Sequence, residues 1–364
     1  MSPSIRFPEF TGEWKYFSIN DVCSEFKSGK NIKADLISSN GNFPVYGGNG
    51  LRGYTSSYNH DGLYVLIGRQ GALCGNVRSV FGKIYITEHA IAVAGNEKSD
   101  TNFLHYLFLK MNLGQYSDQS AQPGLAVNKL LKLKVLLPSI SEQIKIAKLL
   151  SLLDERIAVQ SRLIEDLKKF KCAIVEKLYS EIQGKEYSYR QLFEIINERN
   201  SRLEYSNVLS ASQEKGMVNR EDLNLDIKFE LSNINTYKIV REGDYVIHLR
   251  SFQGGFAFSN MVGVCSPAYT IMRPKKLLEY GYLSYYFTSR KFIKSLIIVT
   301  YGIRDGRSIN VDEWLDMKNI IPSKEQQQHI LRTIRGFENK IEVEEMYASC
   351  LSKQKQYLLR QMFI

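Results

Sequence analysis

A stretch that recurs 184 positions later leaves few architectures open to this chain. Leu136-Leu137-Pro138-Ser139 returns as Ile320-Ile321-Pro322-Ser323, and each copy opens a long helical pattern. Repeats on this scale mean that one structural unit has been used twice. The starts are alike: Ser139-Ile140-Ser141-Glu142 has the S-x-x-E spacing of a capping box, and Ser323-Lys324-Glu325-Gln326 has the S-x-x-Q form. Such a box predicts a Ser oxygen on the third amide and an acidic or amide side chain reaching back. Ile146, Leu149, Leu150, Leu153, Ile157, Ile164, Leu167, Ile174 and Leu178 then recur mostly at three- and four-residue steps. Ile330, Ile334, Phe337, Ile341, Ala348, Leu351, Leu358 and Met362 do the same in the second copy. The stripe is narrow and the other faces are charged, which is the pattern of a coiled-coil seam. A helix of roughly 40 residues spans about 60 Å and cannot bury its stripe alone, so the two copies are natural partners. Gly336 is expected to weaken the second helix locally by about 1 kcal/mol relative to Ala.

The segments before the helices also match. Trp14-Lys15-Tyr16 pairs with Tyr187-Ser188-Tyr189, Asp61-Gly62-Leu63-Tyr64-Val65-Leu66-Ile67 with Glu242-Gly243-Asp244-Tyr245-Val246-Ile247, and Leu104–Phe108 with Leu283–Phe287. Short strands with Gly-rich turns are expected over Pro44–Val93 and Tyr237–Met272, a short helix around Asn102–Leu113 and again around Tyr280–Lys294, and a last strand into each proline junction. The fold class is α+β: globular domains at 1–138 and 186–322, each followed by a long helix, at 139–185 and 323–364.

Lys and Arg total 48 against 38 Asp and Glu, a formal charge of +10, which favours a polyanionic partner. The five cysteines are scattered without a C-x-x-C, and the five histidines do not cluster beside them, so a disulfide framework or zinc site is not expected. A reduced, cytoplasmic setting fits. No signal-peptide run opens the sequence and no apolar stretch is long enough for a membrane span. The runs Leu133–Leu137 and Leu296–Val299 read as strand or core. No phosphate-binding loop, metalloprotease helix, nucleophile elbow or cofactor fingerprint is present, so neither catalysis nor a cofactor is expected. Gly47-Gly48-Asn49-Gly50 reads as a tight turn.

Two loop pairs carry the candidate contacts. Ile67-Gly68-Arg69-Gln70-Gly71 and Leu249–Gly255 place Arg69 and Gln70, and Arg250, Ser251 and Gln253, beside glycines at the end of an apolar strand. Arg suits guanine and Gln suits adenine in the major groove, and glycine permits close approach of backbone to a duplex. The second pair holds Gln119 and Gln122, and Arg304, Arg307 and Ser308. Lys27, Lys30, Lys33 and Arg52 in the first domain, and Arg199 and Arg202 in the second, are weaker candidates for phosphate contact.

The ordered motifs Tyr46–Gly50, Tyr64–Gly71 with Gly75-Asn76-Val77, the P-x-x-x-E-Q-x-x-I junction at Pro138, Glu142, Gln143 and Ile146, and the second copy's Gly243–Val246 and Gly306–Asn310 resemble the specificity subunit of type I restriction–modification enzymes. The second junction, taken as Pro322, Glu325 and Gln326, departs by one residue. The resemblance implies two target-recognition domains, each reading half of a split double-stranded DNA sequence, and two long helices packed antiparallel as a spacer with a pseudo-two-fold axis. It also implies two modification subunits carrying adenine methyltransferase chemistry, restriction subunits that translocate and cleave, and no catalysis by the chain itself. B-DNA repeats every ~34–36 Å, so domains at fixed spacing meet one face of a duplex in register. A non-catalytic coiled-coil scaffold without sequence-specific DNA binding is the alternative.

Overall fold

The computed structural model describes residues 3–117, 124–212, 215–223, 231–248, 255–301 and 308–364. The chain divides into two compact units, one of Met1–Ser161 with Met346–Ile364 and one of Arg162–Glu345. Among the described residues no helix is long and apolar enough to cross a membrane, and all five cysteines are free thiols.

In the first unit the strands are β1 (Lys15–Ser18), β2 (Cys23–Ser28), β3 (Phe43–Gly47), β4 (Gly50–Thr55), β5 (His60–Gly68), β6 (Val77–Ile86), β7 (Ala90–Gly95) and β8 (Lys134–Leu137). Six form one sheet in the order β2-β7-β5-β6-β3-β4, antiparallel except where β3 meets β6. β1 and β8 form a separate antiparallel ribbon in which Lys15 faces Leu137. Side chains alternate across a strand, and β5 is apolar on both faces. Val65 and Ile67 join the core under the helix Thr101–Met111, while Leu66 joins Val80, Ile84, Ile86, Ala90 and Ala92 on the other side. That helix starts where the Asp100 carboxylate accepts from Phe103 N and stops at Asn112, whose φ of 48° is left-handed. Its Phe103, Leu104, Leu107 and Phe108 lie on one face and are buried.

The second unit repeats the frame. The ribbon Lys185–Ser188 with Lys318–Ile321 matches the first, Ile321 facing Lys185 as Leu137 faces Lys15. A four-stranded sheet runs in the order Phe193–Ile196, Thr270–Pro274, Tyr245–Ile247, Phe256–Phe258. Its core is more aromatic: Tyr189 stacks on Trp314 at 4.3 Å, and Phe193, Tyr245, Phe256, Phe287 and Phe292 close around them. The expected single helix over Tyr280–Lys294 is two, Tyr282–Tyr286 and Arg290–Ser295, because Ser289 takes an extended backbone and caps the second by accepting from Phe292 N. Leu296–Val299 is a 3-10 turn with Leu296 and Val299 buried.

The long helices are Ile140–Ser180 and Lys324–Gln361. In each unit they run antiparallel, since their partners move in opposite senses. In the first, Asp154 meets Lys355 and Arg156 lies over Tyr347. In the second, Lys168 meets Glu345 at 2.6 Å, and Lys171 meets Glu338 at 3.2 Å. Ile146, Leu150, Ile330, Ile334, Ile341 and Leu351 are buried as the stripe predicted, and the helix continues through the exposed Gly336.

The starts of these helices correct the sequence reading. Glu142 does not reach back to Ser139. It is buried in a two-point pair with Arg6, at 2.7 and 2.8 Å. At the second helix only half of the box forms, Gln326 N donating to Ser323 Oγ at 3.3 Å. The junction residues are the next ones along. Gln143 Nε2 donates to Pro138 O and Lys98 O, and its Oε1 accepts from Asp100 N. Gln327 donates to Pro322 O and Leu277 O and accepts from Glu279 N. Each lies five residues past its proline, so the second junction is not shortened; Gln327, not Gln326, is the counterpart of Gln143.

Candidate nucleic-acid interface

The end of β5 is where the sequence placed its first candidates, and the fold holds the backbone there from three directions. Arg69 N donates to His89 O at 2.9 Å, while Arg69 O accepts from Leu125 N at 2.9 Å and from the Cys74 thiol at 3.2 Å. Arg69 is half-buried and Gln70 is exposed. Gln70, Arg52, His89, Gly48 and Asn49 line one hollow, so the β3–β4 turn and the end of β5 form a single surface. Lys30 is exposed on the segment after β2, its amide tied to Ile86 O at 3.0 Å, just before the Thr87–His89 turn.

The structure therefore groups Lys30, Arg52, Arg69 and Gln70 around one turn. It adds Arg78, which the sequence reading passed over, with the guanidinium packed over Gly50, where an added Cβ would sit 3.1 Å from Cζ. It also adds His89. Both could be found only through pairing: Arg78 faces Leu66 across the β5–β6 hairpin, and His89 is brought in by its backbone bond to Arg69. Among the described residues, none of Lys30, Arg52, Arg69 and Arg78 is paired with a carboxylate. Other arginines are consumed by structure, as in Arg6–Glu142, Arg190–Asp316, Arg241–Glu198 and Arg273–Asp244. Unpaired cations around a concave surface concentrate phosphate there.

A Cβ on Gly68 would lie 2.6 Å from Leu73 O and 2.8 Å from Gly48 O, so the space it frees is filled by the protein's own loops. Gly71, at φ +84° with nothing within 4 Å, is the position left open to a ligand.

Gln119, Gln122, Arg250, Ser251, Gln253, Arg304 and Arg307 lie outside the described residues. Their flanks are ordered by pairing: Gln70 bridges Gly124, His248 N donates to Gly255 O at 2.6 Å, and Ser308 pairs with Tyr301 in a two-residue ribbon. Of the weaker candidates, Lys27 is 3.2 Å from Glu25 and Arg202 is 4.0 Å from Glu204. Among the described residues no group of three His, Cys, Asp or Glu side chains is placed to hold a metal ion.

Residues 11–169 match the family model for the type I restriction modification DNA specificity domain. Over 154 residues the sequence is 42% identical to the type I restriction enzyme EcoprrI specificity subunit of Escherichia coli, covering 41% of this chain and 38% of that protein. The aligned part thus spans well under half of the curated relative. The fold matches the crystal structure of the type I restriction–modification S subunit of M. genitalium over 100% of this chain and 99% of that one, with a TM-score of 0.63 at 15% identity. It also matches the HsdS subunit of Thermoanaerobacter tengcongensis over 98% of each chain, at a TM-score of 0.51 and 14% identity.

Proposed function

We propose, for a chain whose residues 11–169 belong to the type I restriction–modification DNA specificity family and whose whole length takes the fold of such subunits, that it is the non-catalytic reader of a bipartite DNA target. The domains at 1–138 and 186–322 each read one half-site, and the helical segments 139–185 and 323–364 carry them. Two modification subunits dock on the chain and methylate adenine, and restriction subunits join them, in the cytoplasm. The chain supplies recognition and no cofactor.

The observation that carries this reading is the cluster of Lys30, Arg52, Arg69 and Arg78 beside the exposed Gln70 at one end of the first unit's sheet. Cations without carboxylate partners suit phosphates, and a projecting amide flanked by arginine suits base edges in a major groove. The repeated frame of the second unit supports a second reader, because it ends its own apolar strand, Tyr245–Ile247, just ahead of the Arg250–Gln253 segment. Methylome sequencing of a host with and without the gene, the modification subunit present in both, is the test. The reading expects one split adenine-methylated motif to vanish with the gene; an unchanged methylome in a host that methylates through this system contradicts it.

A further inference from the structure

The hollow beside Arg69 contains a hydrogen-bond relay through His89. His89 Nε2 lies 3.2 Å from Glu88 Oε1, and His89 Nδ1 lies 3.0 Å from Gln70 Oε1. Glu88 Oε2 is buried without a hydrogen-bond partner among the described residues. Arg52 and Asn49 share the hollow with this ring, and Arg69 N donates to His89 O.

Counting protons decides what such a chain can do. An ionised carboxylate only accepts, so Nε2 carries a proton. With Gln70 Oε1 facing it, Nδ1 can donate as well only when the ring is an imidazolium. If the ring is neutral, the carboxylate keeps the proton on Nε2 and Nδ1 becomes an acceptor. The Gln70 amide then turns about its last torsion, sending its NH2 to the ring and its carbonyl outward. The two states present opposite faces: NH2 outward donates to guanine O6 or N7 or thymine O4, and carbonyl outward accepts from adenine N6 or cytosine N4.

We propose that Glu88 and His89 are positioning residues that set which end of the Gln70 amide meets a base, so the hydrogen-bond sense read there follows the protonation of His89. This rests on the reading of this face as a DNA contact. Glu88→Gln is the discriminating variant. Its amide can either accept from Nε2–H or donate to Nε2, so the neutral ring is no longer held with its proton on Nε2 and Gln70 is no longer turned one way by it.

The experiment uses the full chain assembled with its modification subunits and duplexes varied one base pair at a time across the first half-site. Binding is measured at about pH 5.5 and at about pH 8. The expected result is a change of about tenfold in base preference at one position for the unmodified protein, from a pair offering an acceptor to one offering a donor as pH rises. That change is smaller in E88Q. Identical base preferences for both proteins at both pH values, with specific binding retained, overturn the relay. A complex indifferent to every base of the first half-site overturns the reading of the face and the relay with it. Nitrogen-15 NMR of the unmodified chain at alkaline pH gives a second readout that needs no variant: a proton on Nε2 of His89 supports the relay, and a proton on Nδ1 overturns it.

Discussion

Tyr106 donates its hydroxyl to Asp154 at 2.9 Å, and Tyr285 makes the matching bond to Glu338 in the other unit. The same carboxylates receive Lys355 and Lys171, respectively. Asp154 and Glu338 are separated by the 184 residues of the repeat, and so are Lys171 and Lys355, with the helices exchanging roles. Each globular domain is thus fastened to the helix pair by the same tyrosine–carboxylate–lysine group. Tyr106→Phe should cost about 1.5–3 kcal/mol, the usual worth of a hydrogen bond to a charged acceptor. In a double-mutant cycle with Asp154→Asn the coupling should be about 1 kcal/mol; additive losses in urea denaturation would mean that the hydroxyl contributes nothing through the carboxylate.

Gln143 and Gln327 each satisfy two carbonyls and one amide at a helix start. Both side chains are buried, so truncation leaves those groups unsolvated. Gln143→Ala and Gln327→Ala should each lose about 2–4 kcal/mol by chemical denaturation. A loss within about 0.5 kcal/mol of zero, the level of an ordinary surface change, would show that water replaces the amide.

These two sets show what the sequence made visible and what it did not. The duplication, the seam and the domain frames follow from apolar spacing, because burial of Ile146, Leu150, Ile330 and Ile334 is a local consequence of helical period. The identity of the junction residue was hidden. Glu142 and Gln326 have box spacing, but Arg6, 136 residues away in sequence, claims the carboxylate. In the candidate interface, Arg69 and Gln70 stand out by their glycine-flanked strand end. Arg78 and His89 join them only through the β5–β6 register and a backbone bond, which no local pattern encodes.

His105 is pushed down to about 4, mainly by burial and then by Lys355, and its Nδ1 is buried without a partner among the described residues. The unfolded chain takes up a proton near the ordinary imidazole pKa of about 6.5. Between those values the unfolded state binds more protons, so stability falls as pH drops from about 6.5 to about 4, at up to about 1.4 kcal/mol per pH unit. Denaturant midpoints measured across that window should fall for the unmodified protein and flatten in His105→Gln; equal slopes would place the acid sensitivity elsewhere.

Arg78 is expected to contact phosphate. Arg78→Ala should weaken binding about equally for all sequences and reduce the slope of log affinity against log salt by about 1. A titration over several salt concentrations that left the slope intact would remove Arg78 from the interface.

The central claim is that the first unit reads one half of the target independently of the second. Methylome sequencing of a host carrying Arg69→Ala with Gln70→Ala, compared with the unmodified gene, tests it directly. Relaxed or altered bases are expected in one half of the methylated motif, with the other half and the intervening gap retained. Bases altered in both halves, or a motif untouched in either, would contradict it.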